Sequence, residues 1–252
     1  MKNYLCWLLC SSVIFNSTYA GTTSTNKHAW KPFVAVSGGS ASVTQMGSAQ
    51  SFPIVDPTSD EYFVYTPESG SQTKGLFEVF LGGEFNVLSG WLVQGGAAYA
   101  QAGRYNTHGI LTQGVDTQSA DQYTYQFNTV VHQVLAQVKV MKHGNHKFYP
   151  YVLLGLGASF QDTSSFSTSV PSFLSFTRAY ADNTIGSFSY QVGVGIDFDL
   201  AKHVRLGVGY RFADFGETSL GSASINNTPV SGRLGQSHIY ANEAIAQLTY
   251  VL

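Results

Sequence analysis

Residues 186–212 read GSFSYQVGVGIDFDLAKHVRLGVGYRF. Phe188, Tyr190, Val192, Val194, Ile196, Phe198 and Leu200 fall on every second position, and Val204, Leu206, Val208, Tyr210 and Phe212 repeat the pattern. Between them lie Ser187, Ser189, Gln191, Gly193, Gly195, Asp197 and Asp199, then Arg205, Gly207, Gly209 and Arg211. A period of two puts the two sets on opposite faces of a strand. Read as a hairpin with Ala201-Lys202-His203 as its loop, the stretch sets Leu200 against Val204, Phe198 against Leu206 and Ile196 against Val208. The same register brings Asp199 opposite Arg205, with Asp197 diagonal to it and within side-chain reach. The fold turns on which face meets water.

The same period runs through most of the 252 residues, in eight long runs: 30–44, 74–88, 91–105, 122–142, 147–160, 186–200, 204–214 and 237–252. Run 122–142 changes phase, because Tyr123, Tyr125 and Phe127 are odd whereas Val134, Ala136, Val138 and Val140 are even. That predicts a β-bulge near 129–132, or a break into two strands. Runs 30–44 and 147–160 are apolar at both parities in places, which leaves their faces unassigned. The connections near 45–73, 106–121, 161–185 and 215–236 are long and rich in Ser, Thr, Gly and Gln, while 88–90, 143–146 and 201–203 are very short. Strict alternation of long and short predicts an eight-stranded antiparallel up-and-down sheet, with all long loops at one end and both termini at the other. An even strand number lets the first and last strands pair. At Leu88-Ser89-Gly90, a three-residue loop sets Val87 against Trp91 and Phe85 against Val93, with Gly90 at the left-handed position.

Charged residues make up 11% of the chain, aromatic residues 14%, and 26 residues are glycine. Soluble domains average about 25% charged residues, so the usual water-facing surface is missing. The polar face carries Gly, Ser, Ala and Gln, which suits the narrow interior of an eight-stranded barrel. The runs exceed the about 5–6 residues of a mean globular strand and match the about 9–11 that cross a bilayer at a tilt. Aromatic residues collect toward run ends: Phe85, Trp91, Phe148, Tyr149, Phe198 and Tyr250 near short turns, and Phe77, Tyr99, Tyr123, Phe188, Phe212 and Tyr240 near long loops. Two such belts mark the interfaces of a membrane. Together these features predict an all-β transmembrane barrel with its greasy face on lipid, the inverse of a soluble lipocalin-like barrel. A net charge of −2 without a basic cluster gives no footprint for a nucleic-acid partner.

The first residues, MKNYLCWLLCSSVIFNSTYA (1–20), combine a positive Lys2, an apolar segment from Leu5 to Phe15 and a small-residue end at Thr18-Tyr19-Ala20. This predicts a signal peptide cleaved after Ala20, leaving 21–252 as the barrel. Its apolar segment is shorter than the roughly 20 residues of a spanning helix. Cys6 and Cys10 both lie in this leader, so the mature chain is expected to hold no disulfide.

KFYPYVLLGLGASF (147–160), VRLGVGYRF (204–212) and NEAIAQLTYVL (242–252) resemble strands of outer-membrane β-barrels of the opacity-protein and OmpA-transmembrane-domain type, along essentially the whole mature chain. The resemblance implies a monomer in the bacterial outer membrane, with long loops extracellular and termini periplasmic. It implies contact with outer-membrane lipid and passage through the barrel-insertion machinery. Such barrels usually end in Phe or Trp, whereas this chain ends in Leu252, with Tyr250 and Leu248 keeping the alternation. Asn242 falls on the otherwise lipid-facing parity.

The motifs GLG (155–157) and GVG (193–195 and 207–209) lack the third glycine and the strand-to-helix step of a nucleotide loop, and read as close packing in a narrow barrel. His143 and His146 lack a third metal ligand. Ser237 and His238, with Asp214 and Glu217, have no spacing diagnostic of a hydrolase. No catalytic residue, metal site or cofactor is assigned. One constellation stands out, the inward charges Glu78, Glu84, Asp197, Asp199, Arg205, Arg211 and Glu243, which are expected to form acid–arginine pairs across strands because an unpaired buried charge is costly. They either plug the lumen or gate a narrow water path. In the long loops, Tyr62, Phe63 and Tyr65, and Phe173, Leu174 and Phe176, are candidates for a binding surface or for packing on one another. The resulting expectation is a non-catalytic barrel, structural or engaging an extracellular ligand or host surface through its long loops. A narrow pore for small solutes and a lipid-modifying enzyme at the outer rim are the alternatives.

Overall fold

A computed structural model describes residues 30–252 apart from 57–58, 89, 115–119, 144–146 and 175. The leader 1–20, with Cys6 and Cys10, and His146 lie outside the described residues. The strands are β1 (Lys31–Val43), β2 (Gln50–Asp56), β3 (Ser59–Pro67), β4 (Gln72–Leu88) and β5 (Trp91–Gly114). They continue as β6 (Asp121–Lys142), β7 (Phe148–Thr168), β8 (Ala179–Tyr180), β9 (Asn183–Ala201) and β10 (Val204–Asp214). The last are β11 (Thr218–Ser219), β12 (Ala223–Ile225), β13 (Thr228–Val230), β14 (Gly235–Gln236) and β15 (Tyr240–Val251).

Eight of these close a ring in the order β1-β4-β5-β6-β7-β9-β10-β15, with β15 pairing back on β1 and every neighbour antiparallel. Closure matters because a strand edge in hydrocarbon leaves backbone groups without partners. The ring is the up-and-down barrel that the alternation predicts. Its greasy face is outside: Phe188 is 66% exposed and Val194 56%, while Gln191, Asp197 and Arg211 are buried.

The two faces left open by the sequence are now assigned. Phe33, Ala35, Ser37 and Ala41 of β1 point inward, as do Tyr149, Tyr151, Leu153 and Ser159 of β7, whereas Val36, Val152, Leu154 and Phe160 are exposed outside. Both strands read as apolar at either parity because the interior is itself apolar at these levels. Phe33, Ala35, Phe80, Ala98, Leu135 and Val251 form one buried cluster, and Met141, Tyr149, Tyr151 and Leu153 another.

Two of the three short turns are tighter than expected. Gly90 has the left-handed φ of 83°, and Phe85 opposes Val93, but Leu88 rather than Val87 opposes Trp91. Likewise Arg205 opposes Asp199, Leu206 opposes Phe198 and Val208 opposes Ile196, whereas Val204 pairs with Ala201 instead of Leu200. In each hairpin one residue, Val87 or Leu200, bulges out so that a tighter loop can join strands in unchanged register.

The phase change in β6 has a different cause from the one the sequence suggests. Tyr125, Phe127, Thr129, Val131, Gln133, Leu135, Gln137, Lys139 and Met141 are all buried, so odd side chains point inward along the whole strand. The surroundings change rather than the backbone. Beside Val134–Val140 the apolar medium lies outside the ring, and beside Tyr123–Phe127 it lies inside. The register shifts fall in the neighbours, at Gly103–Arg104 of β5 and Ser165–Phe166 of β7.

At the long-loop end, β5, β6 and β7 run on beyond the lipid-facing belt, so 106–114 and 161–168 are strand rather than loop. The β2–β3 hairpin extends this sheet by pairing on β5, from Tyr62↔Gly114 to Pro67↔Gly109. The inward faces of the extension enclose a cap core that includes Phe63, Tyr65, Leu111, Tyr125, Phe127 and Tyr180. Two residues placed in the aromatic belts from sequence belong inside instead. Tyr149 is buried in the barrel, and Tyr123 packs against the cap core, both being on the inward parity. The outer belt at this end includes a run of neighbouring rings, Phe188–Tyr190, Tyr190–Phe212 and Phe212–Tyr240, with centroids 6.4, 6.4 and 5.7 Å apart. Asn242 is accommodated on this face because the Tyr210 hydroxyl donates to its Oδ1 at 2.6 Å.

The face assignment makes a quantitative prediction. Val194→Arg should cost about 2–4 kcal/mol near the bilayer midplane, read as a fall in the urea midpoint of protein refolded into lipid vesicles. Val194→Leu should leave that midpoint in place.

Candidate functional site

The interior of the ring is built by alternating glycines and charges on β9 and β10. A Cβ at Gly193 would meet Cγ of Arg211 at 2.6 Å, so the glycine is the socket in which the arginine stem lies. Gly207 makes the same room for the Asp197 carboxylate. The GVG motifs are therefore packing devices.

Around these sockets the charges pair. Arg211 donates from Nε to Glu243 Oε2 at 2.8 Å and from Nη1 to Glu78 Oε2 at 2.6 Å, which ties β10 to β15 and β4. Lys139 Nζ donates to both Asp197 oxygens, at 2.6 and 2.9 Å, and to Gln247 Oε1 at 2.7 Å. Gln247 Nε2 donates to Ser37 Oγ at 3.1 Å, and Ser37 reaches Glu78 Oε1 at 3.5 Å, so the two ion pairs form one chain across the lumen. Nearer the short turns, Arg205 donates to Glu84 Oε1 and to Asp199 Oδ1, each at 3.1 Å. Gln94 Nε2 donates to Glu84 at 2.9 Å and the Tyr149 hydroxyl to Asp199 at 2.7 Å.

The structure thus groups Glu78, Arg211 and Glu243, and separately Glu84, Arg205 and Asp199. Asp197 departs from its sequence placement, because Lys139 takes it instead of Arg205. Lys139 was missed, although it sits on the inward parity with Gln133 and Gln137; the phase change in that run obscured it. Removing a lone ion from water costs several kcal/mol, so these charges persist at such depth only because each meets its opposite.

The long-loop candidates divide. Phe63 and Tyr65 are both 0% exposed and lie in the cap core, so they are not surface residues. They occupy the inward parity of β3, and the Tyr65 ring packs edge-on against Tyr125 at 5.1 Å and Tyr180 at 5.8 Å. Burial, then the neighbouring Tyr180, push the Tyr65 phenol well above its usual range, so it remains neutral. Tyr62 is half-buried on the opposite face of β3. Phe173, in contrast, is 82% exposed, with Leu174 at 37% and Phe176 at 39%. A turn closed by Leu174 N–H donating to Pro171 O at 2.9 Å raises Phe173, and the Phe176 ring leans on Phe63 at 6.2 Å.

Arg178 anchors this tip. It is 2% exposed, and no carboxylate pairs with it among the described residues. Its guanidinium lies 4.6 Å from the centre of the Phe52 ring. It donates to the Tyr180 hydroxyl at 3.2 Å, to the Ser231 carbonyl and to the Gly232 carbonyl at 3.5 Å. β2 is terminal in its sheet, so this side chain joins the hairpin to the 231–232 segment where no ladder does. Pro53 lies on that strand, and proline is a common guard of a sheet edge. Arg178 has no periodic signal in the sequence and could not be found from it.

At the rim, His238 Nδ1 lies 2.9 Å from Asp214 Oδ2, and the His238 ring stacks on Tyr240. No hydrogen bond joins Ser237 to His238 among the described residues, and the Glu217 residue is exposed. His143 packs on Tyr149 at 5.0 Å. Among the described residues no three His, Cys, Asp or Glu side chains are arranged to hold a metal.

The family model described as outer membrane protein beta-barrel domain matches residues 21–236. Among solved structures, the outer membrane protease OmpT from Escherichia coli aligns with a TM-score of 0.50 and 9% identity, over 92% of this chain and 99% of that one. OprG from Pseudomonas aeruginosa aligns at 0.49 and 13%, over 87% and 96%. Neisserial surface protein A aligns at 0.43 and 9%, over 89% and 99%. At these identities the likeness is one of fold alone. No curated protein sequence matches.

Arg211→Met would strand Glu78 and Glu243 in the lumen, and should cost about 3–5 kcal/mol. The triple change Arg211→Met, Glu78→Gln and Glu243→Gln should recover most of that loss, because no bare charge remains. Urea midpoints in lipid vesicles would measure both.

Proposed function

This chain belongs to the outer membrane protein beta-barrel domain family, and from that premise we propose a non-catalytic surface protein that presents its cap to an extracellular ligand or host surface. Residence in the bacterial outer membrane follows from the family. In this reading the cap faces out of the cell, and the short turns and both termini face the periplasm. The protein works as a monomer, with lipid against the outer valines and leucines and the insertion machinery reading the last strand.

One contrast carries the reading. The lumen is occupied by charges that bind each other, whereas the cap is a folded extension with an anchored apolar tip in the open. A side chain 82% exposed, such as Phe173, gains nothing for the fold and is free to bury against a partner. At the rim, Asp214 is shared between His238 and Gly216 N–H, which donates to it at 2.8 Å.

The narrow-pore reading retains one observation. Arg211 Nη2, Glu243 Oε1, Gln137 Nε2 and Gln191 Oε1 are buried without a partner among the described residues, and such atoms commonly bond internal water.

Two measurements separate the readings. Vesicles carrying the protein should attach to a panel of immobilised matrix proteins and cell surfaces above protein-free vesicles. Phe173→Ser with Phe176→Ser should reduce attachment while leaving heat-modifiable gel migration intact. In planar bilayers, the wild type and Arg211→Ala should both stay at the lipid background; conductance altered by Arg211→Ala would establish the pore instead.

A further inference from the structure

We propose that a groove on the outer wall of the cap binds a neutral saccharide, an inference that rests on the surface-protein reading and gives it a ligand class. The groove encloses about 590 Å³, between the end of β3 and the outward faces of β5, β6 and β7. That volume lies within the about 300–1,000 Å³ usual for small-ligand sites. Its walls carry Glu68, His108, Ile110, Thr124, Gln126 and Ser167.

Two bulges put these side chains there. Below Gly103–Arg104 of β5 the even positions are buried, among them Gln94, Ala98, Ala100 and Ala102; above it the odd positions Tyr105, Thr107 and Leu111 are. The extra residue therefore turns His108 and Ile110 outward. On β7, Ser159, Gln161 and Thr163 are buried. Beyond Ser165, whose φ is 62°, Phe166 joins the cap core and Ser167 faces out. Bulges commonly re-aim side chains at working surfaces, and here both serve one groove.

Two of the polar groups, His108 and Glu68, are held before any ligand arrives. His108 Nε2 lies 3.0 Å from Glu68 Oε2, and its Nδ1 lies 3.1 Å from Asn106 Oδ1. Asn106 is fixed in turn by donating from Nδ2 to Asn128 Oδ1 at 3.2 Å, while Glu68 N–H donates to the His108 carbonyl at 2.9 Å.

The chemistry selects the ligand class. A carboxylate, an imidazole, a carboxamide and three hydroxyls, counting Thr66, supply donors and acceptors side by side, which matches the paired hydroxyls of a sugar. Pro67 and the half-exposed Ile110 give its C–H face an apolar patch. No lysine or arginine is among the described residues lining the groove, and His108 is already turned to the Glu68 carboxylate, so phosphate or sulfate groups find no permanent, unpaired counter-charge.

The test uses the full chain in lipid nanodiscs on a glycan array holding neutral, sialylated, sulfated and phosphorylated oligosaccharides. At least one neutral glycan should bind above a boiled control. Glu68→Gln with His108→Ala should weaken that binding about tenfold or more, the loss expected for a charged hydrogen bond. Gln126→Trp, which fills the groove, should abolish it. All three side chains are outward on the cap wall, so heat-modifiable migration should not change. Phe173→Ser should leave glycan binding intact, which separates this inference from a failure of the apolar tip. Absence of any neutral binder, preference for anionic glycans, or binding indifferent to both groove variants would each overturn the proposal.

Discussion

A guanidinium held between two carboxylates on three strands is the constraint around which the rest of this barrel is arranged. Arg211 is cut off from bulk water where it lies, so Glu78 and Glu243 must stay within bonding distance, and the register of β4, β10 and β15 is pinned with them. A slip of one residue would turn these charges into the surrounding apolar medium and the valines into the lumen. Glycine at 193 and 207 is the steric counterpart, because the lumen can hold long charged side chains only where the facing strand has none. Hydrophobicity alone would fix which face is outside. The ion pairs fix which residue faces which.

The second organising feature is that inside and outside exchange chemical roles along the barrel axis without any change in the backbone of β6. Its odd side chains are interior from Tyr125 to Met141. At the lower levels those interior positions hold Gln133, Gln137 and Lys139, and at the upper levels Tyr125 and Phe127. The strand crosses from an apolar exterior to an aqueous one, so the cheapest interior changes from polar and paired to aromatic. Its neighbours make the same transition with a bulge each.

This exchange explains what the sequence revealed and what it hid. The eight strands, the outward greasy face, the antiparallel order and the Asp199–Arg205 register were legible, because period-two alternation and short turns leave few alternatives. The inward parity of Glu78 and Arg211 was legible for the same reason, as was the left-handed conformation at Gly90. Alternation has no vocabulary for a change of medium, however, so an unbroken strand looked broken near Thr129 and Lys139 went unnoticed. Phe63 and Tyr65 looked like loop residues because a polar, glycine-rich context surrounds them, although β3 pairs on β5 and buries them. Arg178 owes its burial to Phe52, Tyr180 and two distant carbonyls, contacts that no local pattern encodes.

The height of the cap above the lipid can be argued from the same strand. On the outer face of β6, Val134, Ala136, Val138 and Val140 form an unbroken apolar row, bracketed by His132 at one end and Lys142 at the other. His132 meets the Tyr99 hydroxyl at 2.9 Å and lies 3.6 Å from the exposed Asp162. Lys142 sits 5.8 Å over the Trp91 ring, an aromatic-and-cation pairing suited to an interface. The interval between the two polar markers agrees with the about 9–11 residues of a tilted strand crossing a bilayer. β6 nevertheless begins at Asp121, so a comparable length of strand stands clear of the hydrocarbon. Its partners β5 and β7 keep pace with it, each pairing on it with a single bulge along the way. The cap is therefore a rigid continuation of the membrane wall, and whatever it displays is held at a fixed height by the same hydrogen-bonded strands that the lumen charges keep in register.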